Sequence, residues 1–121
     1  MKVLKIEPGK HPEVTEIENE LHALQEAVGG YIECVYPWND ETVLVCNEEG
    51  KILNLPLNRK IYDGEIFRDV ICGTFIIAGN AGEDLRSLTD DEIEKHKAEL
   101  WEPDDFTKRK ENATWQTPKQ D

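Results

Sequence analysis

Cysteine is scarce in this sequence, and its distribution fits neither a metal site nor a disulfide framework. Cys34, Cys46 and Cys72 lie in separate strand-like runs, with no Cys-x-x-Cys pair among them. The three histidines are also scattered along the chain, so a zinc site is poorly supported and no metal ligand is assigned. We expect three buried, reduced thiols in a cytoplasmic protein.

Long apolar runs are absent as well. No stretch approaches the roughly 20 apolar residues that a membrane helix needs, and Met1 to Lys5 lacks the apolar region of a signal peptide. We therefore expect a soluble protein with no membrane partner.

The signatures of common enzymes are missing too. The sequence contains no Walker loop, no Gly-x-Ser-x-Gly and no His-Glu-x-x-His. No catalytic residue and no cofactor is predicted, and binding is favoured over catalysis. An enzyme that degrades a nucleotide stays the least favoured alternative.

Basic side chains are missing from a third of the chain. Residues 11–50 contain ten acidic residues and no Lys or Arg, within a chain of 14 basic and 26 acidic residues and net charge −12. Such a surface repels nucleic acid phosphates and attracts basic protein faces. The alternative is a solvated face that only keeps the protein soluble. The acids that form the candidate protein-interaction face are Glu13, Glu16, Glu18, Glu20 and Glu26.

What is present is the pattern of a small α+β domain over residues 1–102, followed by a polar tail over 103–121. Apolar residues at helical spacing predict a first helix over 16–28, with Thr15 and Glu18 as a capping box and Gly29 as its stop. A second capping box, Thr89 with Glu92, predicts a helix from Asp90 to about Trp101.

Short β-branched and aromatic runs between Gly, Asn and Pro residues predict the strands. These strands cover residues 1–7, 31–36, 42–46, 51–55 and 70–78, and the last, being the most apolar, belongs at the centre of the sheet. We expect a mixed or antiparallel sheet that packs against one helix. In the tail, Phe106 and Trp115 could dock on the body of the protein or on a second subunit, which leaves a homo-oligomer open, but a mobile tail is favoured.

Polar and aromatic side chains at the turns between these strands indicate a ligand pocket. Arg59 suits a bidentate contact to phosphate or carboxylate, and Asn58 suits a base or ribose edge. Tyr62 and Phe75 offer stacking faces. The same Asn58-Arg59 pair also fits a simple turn with a surface ion pair. The candidate ligand-binding residues are Asn47, Lys51, Asn58, Arg59, Tyr62 and Phe75.

Four motifs in this region resemble a small family of domains of unknown function from Gram-positive bacteria, their phages and mobile elements. The motifs are Val-Gly-Gly-Tyr-Ile-Glu (28–33), Asn-Glu-Glu-Gly-Lys (47–51), Leu-Pro-Leu-Asn-Arg (55–59) and Gly-Thr-Phe-Ile-Ile-Ala-Gly (73–79). The resemblance spans about residues 1–101. It implies a setting in which small proteins counter host defence. A more distant likeness is to phage proteins that sequester cyclic nucleotide immune signals.

The leading hypothesis is therefore a non-enzymatic phage or mobile-element protein that counters host defence by binding a nucleotide-like anion in the pocket. The alternative is an acidic inhibitor that mimics nucleic acid and occupies a basic site on a defence protein. Either would act in the cytoplasm of the host cell, without contacting nucleic acid directly.

Overall fold

A computed structural model describes residues 1–106 of the chain and confirms the α+β class. Within those residues, two helices accompany eight strands, and all the strand pairings are antiparallel. The elements in chain order are β1 (Lys2–Ile6), β2 (Glu13–Glu16), α1 (Leu21–Val28), β3 (Ile32–Val35), β4 (Thr42–Asn47), β5 (Leu57–Asp63), β6 (Ile66–Cys72), β7 (Phe75–Asn80), β8 (Leu85–Arg86) and α2 (Asp90–Glu99).

The main sheet has the strand order β2-β1-β7-β4-β3, and the short β8 also pairs with β7. Strands β5 and β6 form a separate hairpin. The central position expected for the most apolar run is confirmed for β7. The single strand predicted over 70–78 is wrong, because the chain leaves β6 at Gly73, which has φ +82°, and enters the other sheet as β7.

The inner strands β4 and β7 are buried on both faces of the main sheet, because nearly every residue along them is buried. Strand β4 sends Val43 and Val45 to one face and Leu44 and Cys46 to the other. The first face packs against α1, and we call it the helix face. The opposite face, called the hairpin face, shares its core with residues of the β5–β6 hairpin and of α2, namely Ile61, Ile71, Leu100 and the half-buried Ile93.

The first helix is shorter than expected. Thr15 does not cap it, because residues 13–16 form β2 and pair with β1, Thr15 lying opposite Val3. The helix begins at Leu21 after Glu20, which makes no side-chain cap. Its predicted end is confirmed, since Gly29 has φ +79° and donates its backbone N–H to the Gln25 carbonyl at 2.8 Å.

The second helix is confirmed, including both halves of its capping box. The Glu92 backbone N–H donates to Thr89 Oγ1 at 3.2 Å, and the Thr89 N–H donates to Glu92 Oε1 at 2.9 Å. These contacts are local in sequence, so the spacing of the two residues was enough to predict them. Neither helix within residues 1–106 is long and apolar enough to cross a bilayer.

The strand predicted over 51–55 is wrong. Both edges of β4 are already paired, with β3 and β7, so the chain after β4 folds into helical turns instead. The Leu53 N–H donates to the Glu49 carbonyl at 2.8 Å, and the Leu55 N–H donates to the Gly50 carbonyl at 3.0 Å. A Cβ on Gly50 would lie 2.8 Å from the Cys72 carbonyl oxygen, so this turn packs closely on the end of β6.

Candidate functional site

The arginine predicted to hold an anion lies inside the protein. Arg59 is 1% exposed and donates from Nε to the Leu100 carbonyl at 3.1 Å and from Nη1 to Asn58 Oδ1 at 2.9 Å. Its Nη2 donates to the carbonyl of Lys10. Burial lowers the pKa of Arg59, while Asp104 and Glu102 oppose that shift. The guanidinium therefore joins the hairpin, the end of α2 and the turn after β1.

Asn58 and Phe75 also contribute to the interior. Asn58 Nδ2 donates to the carbonyls of Ile6, at 2.9 Å, and Gly73, at 2.8 Å. Phe75 is fully buried in the core of the hairpin face. The sequence identified side chains with strong donors and a large ring, but in the fold they bind protein atoms.

Asn47 and Lys51 do come together, at a cavity of about 100 Å³ next to Cys46 and Cys72. Lys51 Nζ lies 2.8 Å from Asp69 Oδ1, and this hydrogen bond raises the pKa of Lys51. Three carboxylates line the cavity, those of Asp69, Glu33 and Glu48. Pockets for drug-sized ligands usually enclose about 300–1,000 Å³. The cavity is therefore too small and too acidic to favour a nucleotide.

Tyr62 lies apart from that cavity, on the hairpin. It is 41% exposed and its ring meets Phe67 edge-on, with ring centroids 5.6 Å apart. Of the six predicted ligand residues, the structure thus brings two together at one cavity. A ligand-binding role of these residues stays a prediction.

The cysteines show no activated thiol. Burial raises the pKa of Cys46 to about 12, and nearby Glu33 adds to the effect, so this thiol stays protonated at neutral pH. Cys72 is buried as expected, whereas Cys34 is exposed, because it lies on the edge strand β3. Residues 1–106 contain no group of three or more His, Cys, Asp or Glu side chains arranged to hold a metal.

One buried cluster has the residue types of a proton relay. His96 Nε2 lies 3.0 Å from Asp40 Oδ2 and 3.2 Å from Thr42 Oγ1. Burial alone raises the pKa of Asp40, but hydrogen bonds from Lys95 and Thr42 outweigh it and lower this pKa to about 2. His96 is 0% exposed and Thr42 is 1% exposed. His96 and Thr42 are thus shielded from solvent, and the cluster ties α2 to β4.

The five predicted interaction acids are all exposed. They do not share one helix, since Glu13 and Glu16 lie in β2, Glu18 and Glu20 in the segment that follows, and Glu26 in α1. The exposed His22 lies 2.8 Å from Glu26, and the N-terminal amine lies 3.5 Å from Glu16. Because all five carboxylates are exposed, they are accessible to a partner even where such a contact is present.

Helix α1 is too small to cover the helix face of the sheet. Its eight residues form only about two turns, whereas the sheet has five strands side by side, and Leu24 and Val28 are the buried side chains of the helix. A groove is left on each side of the helix. One lies toward β2 and is flanked by Glu18 and Glu26.

The other groove lies toward β3, and we call it the β3 groove. Leu21, Ile32 and Tyr36 contribute its apolar surface, and Glu20, Glu83 and Asp84 contribute its carboxylates. Glu83 and Asp84 were not predicted to belong to this surface, because they lie more than sixty residues after Glu20 in the chain. A run of acidic residues was visible there, but nothing local links it to the first helix.

Comparison with known families matches residues 1–100 to a domain of unknown function, DUF3846. The chain belongs to this family. No curated protein and no solved structure matches the chain. Membership in a family of unknown function leaves the activity to be argued from the site.

Proposed function

We propose that this DUF3846 protein acts by non-enzymatic binding, and that its acidic face (Glu13, Glu16, Glu18, Glu20 and Glu26) docks on a basic surface of another protein. On the resemblance described above, the setting is a phage or mobile element that counters a host defence protein in the host cytoplasm. The acidic face would take the place of nucleic acid on that protein.

The observation that carries this proposal is the exposure of all five carboxylates within residues 11–50, which contain no Lys or Arg. Oriented charges of one sign raise the rate at which an oppositely charged partner associates and exclude partners of like charge. Binding of a nucleotide-like anion is less well supported, because Arg59 is occupied by carbonyl groups and Lys51 by Asp69.

The test measures binding of a fluorescent oligolysine peptide as a function of salt. The Debye length falls from about 10 Å at 0.1 M to about 3 Å at 1 M salt, so binding should weaken steeply over this range. Reversal of Glu18 and Glu20 to Lys should weaken binding at low salt by at least about tenfold, because two attractive charges become repulsive.

The matched control reverses two exposed acids elsewhere, Glu65→Lys with Glu94→Lys, and so changes the net charge equally. This variant should retain most of the affinity. If both double variants lose affinity equally, binding follows net charge alone and the acidic face is not a site. If the wild-type protein does not bind the peptide at low salt, the proposed function is wrong.

A further inference from the structure

We propose that the β3 groove is the docking site for a basic amphipathic segment of the partner. A bulky apolar side chain of that segment enters the groove, and flanking Lys or Arg side chains meet the carboxylates at its rim. This inference rests on the proposed function and specifies the partner chemistry that the acidic face recognises.

The apolar part of the groove is open to solvent. Leu21 is 59% exposed and Tyr36 is 56% exposed, although both lie beside the half-buried Ile32. The groove has a volume of about 300 Å³, which is enough for a large aliphatic or aromatic side chain. Burying such a side chain against Leu21 and Tyr36 removes apolar area from water on both partners, which favours association.

The rim of the groove is acidic and held in place. Asn19 Nδ2 donates to Asp84 Oδ1 at 3.2 Å and to the Leu85 carbonyl at 3.1 Å, which ties the segment before α1 to the segment before β8. The Asp84 carboxylate also accepts the Leu85 N–H at 2.8 Å. These bonds keep Glu20 and Glu83 on the two sides of one groove.

Charge complementarity selects the occupant. No Lys or Arg is among the described residues that line the groove, while three carboxylates are. Phosphates of nucleic acid or anionic lipid would be repelled at this rim. A second copy of the chain, with net charge −12, would be repelled as well. A cationic segment with an apolar anchor residue can pair its charges with the carboxylates at the rim and bury the anchor against the apolar surface of the groove.

Two synthetic peptides of equal charge test the inference. One carries leucines at i, i+3 and i+4 spacing among lysines, and in the other the leucines are replaced by serine. We expect the leucine peptide to bind at least about tenfold more tightly by fluorescence anisotropy, as one buried anchor residue contributes. In Leu21→Ser this preference should disappear, and Glu83→Lys should weaken binding of both peptides.

Ile66→Ser is the matched control, because Ile66 is 62% exposed on the hairpin, outside the groove. It should leave the preference unchanged, and thermal melts should show that all three variants keep the wild-type fold. Equal binding of both peptides, or a preference that survives Leu21→Ser, overturns the groove proposal. If the Glu18 and Glu20 reversal weakens binding in that case, the result supports the acidic face as a binding surface without the groove. If neither peptide binds at low salt, both the groove proposal and the proposed function are wrong.

Discussion

The two faces of the main sheet are closed in different ways. The hairpin face is covered by a two-stranded hairpin and a helix, and the buried polar side chains of Arg59 and His96 contact backbone carbonyls and a hydroxyl within this layer. The helix face is covered by one eight-residue helix whose buried side chains, Leu24 and Val28, are apolar. The hairpin face thus contains buried polar contacts, and the helix face leaves apolar surface near β3 open next to carboxylates.

The difference suggests that the hairpin face mainly stabilises the fold and that the helix face is available for recognition of a partner. Buried polar groups require partners of fixed geometry, so the hairpin face tolerates little change. A partly covered sheet face keeps apolar area exposed that a partner can bury. The following predictions test this division, beginning with the largest expected effect.

Arg59→Ala should lower the free energy of unfolding by about 4 kcal/mol, because it leaves buried carbonyl acceptors of three segments without their charged donor. Urea unfolding followed by circular dichroism measures the change. Arg68→Ala, which removes an exposed arginine from the same hairpin, should cost no more than about 0.5 kcal/mol. Equal and small effects would show that the Arg59 contacts do not stabilise the hairpin face.

On the helix face, substitution of two leucines that lie three residues apart in α1 should lower the free energy of unfolding by very different amounts. Leu24 is 5% exposed among Val43, Val45 and Ile76, so Leu24→Ala should cost about 3 kcal/mol through the cavity it creates. Leu21→Ala should cost no more than about 0.5 kcal/mol, since Leu21 lies in the open groove. A large loss of stability in Leu21→Ala would mean that this end of the helix face is packed.

Gly29→Val should cost roughly 1–3 kcal/mol, because φ +79° is strained for a β-branched residue. Nothing lies within 4 Å of a Cβ built at this position, so the cost comes from the backbone alone. Gly29→Asn, which tolerates the left-handed region better, should therefore lose less than the valine variant in the same unfolding assay. A reversed order would contradict the helix stop.

The smallest effect concerns pH. Burial lowers the pKa of His96, opposed by Asp40 and Glu99, so below about pH 6.5 the unfolded chain binds a proton that the folded protein does not. The free energy of unfolding should then fall as the pH falls from 7.5 toward 5.5, by at most about 1.4 kcal/mol per pH unit.

In His96→Gln this part of the pH dependence should vanish, while a further loss below about pH 4 should persist because Asp40 has a pKa of about 2. Unfolding curves at several pH values distinguish the two groups. An unchanged slope between pH 7.5 and 5.5 in the variant would show that His96 titrates equally in both states.

Prediction from sequence succeeded where the deciding contacts are local. The Thr89–Glu92 capping box and the Gly29 stop involve residues three or four apart, and β7 is apolar enough to require the centre of a sheet. It failed where distant pairing decides. Residues 13–16 have the acid-rich pattern of a helix start, but their backbone groups pair with β1. Residues 51–55 cannot pair with β4, because both edges of that strand are already paired.

The candidate site divides in the same way. Carbonyl and phosphate oxygens both accept hydrogen bonds, so the sequence could not show whether Arg59 binds the chain itself or a ligand. It did show that residues 11–50 contain ten acidic side chains and no Lys or Arg, from which an acidic surface was predicted. Glu83 and Asp84 could not be assigned to this surface from their positions in the chain.

By itself, the sequence determined the net charge, the Thr89–Glu92 capping box, the Gly29 helix stop and the apolar strands that require an α+β core. These properties depend on side-chain chemistry and on neighbours within about four residues. Only the tertiary structure decided which polar groups are buried, where α1 begins and which acids surround Leu21 and Tyr36. Those outcomes depend on which strand edges are free and on how much of the main sheet one short helix covers. Both are properties of the assembled fold.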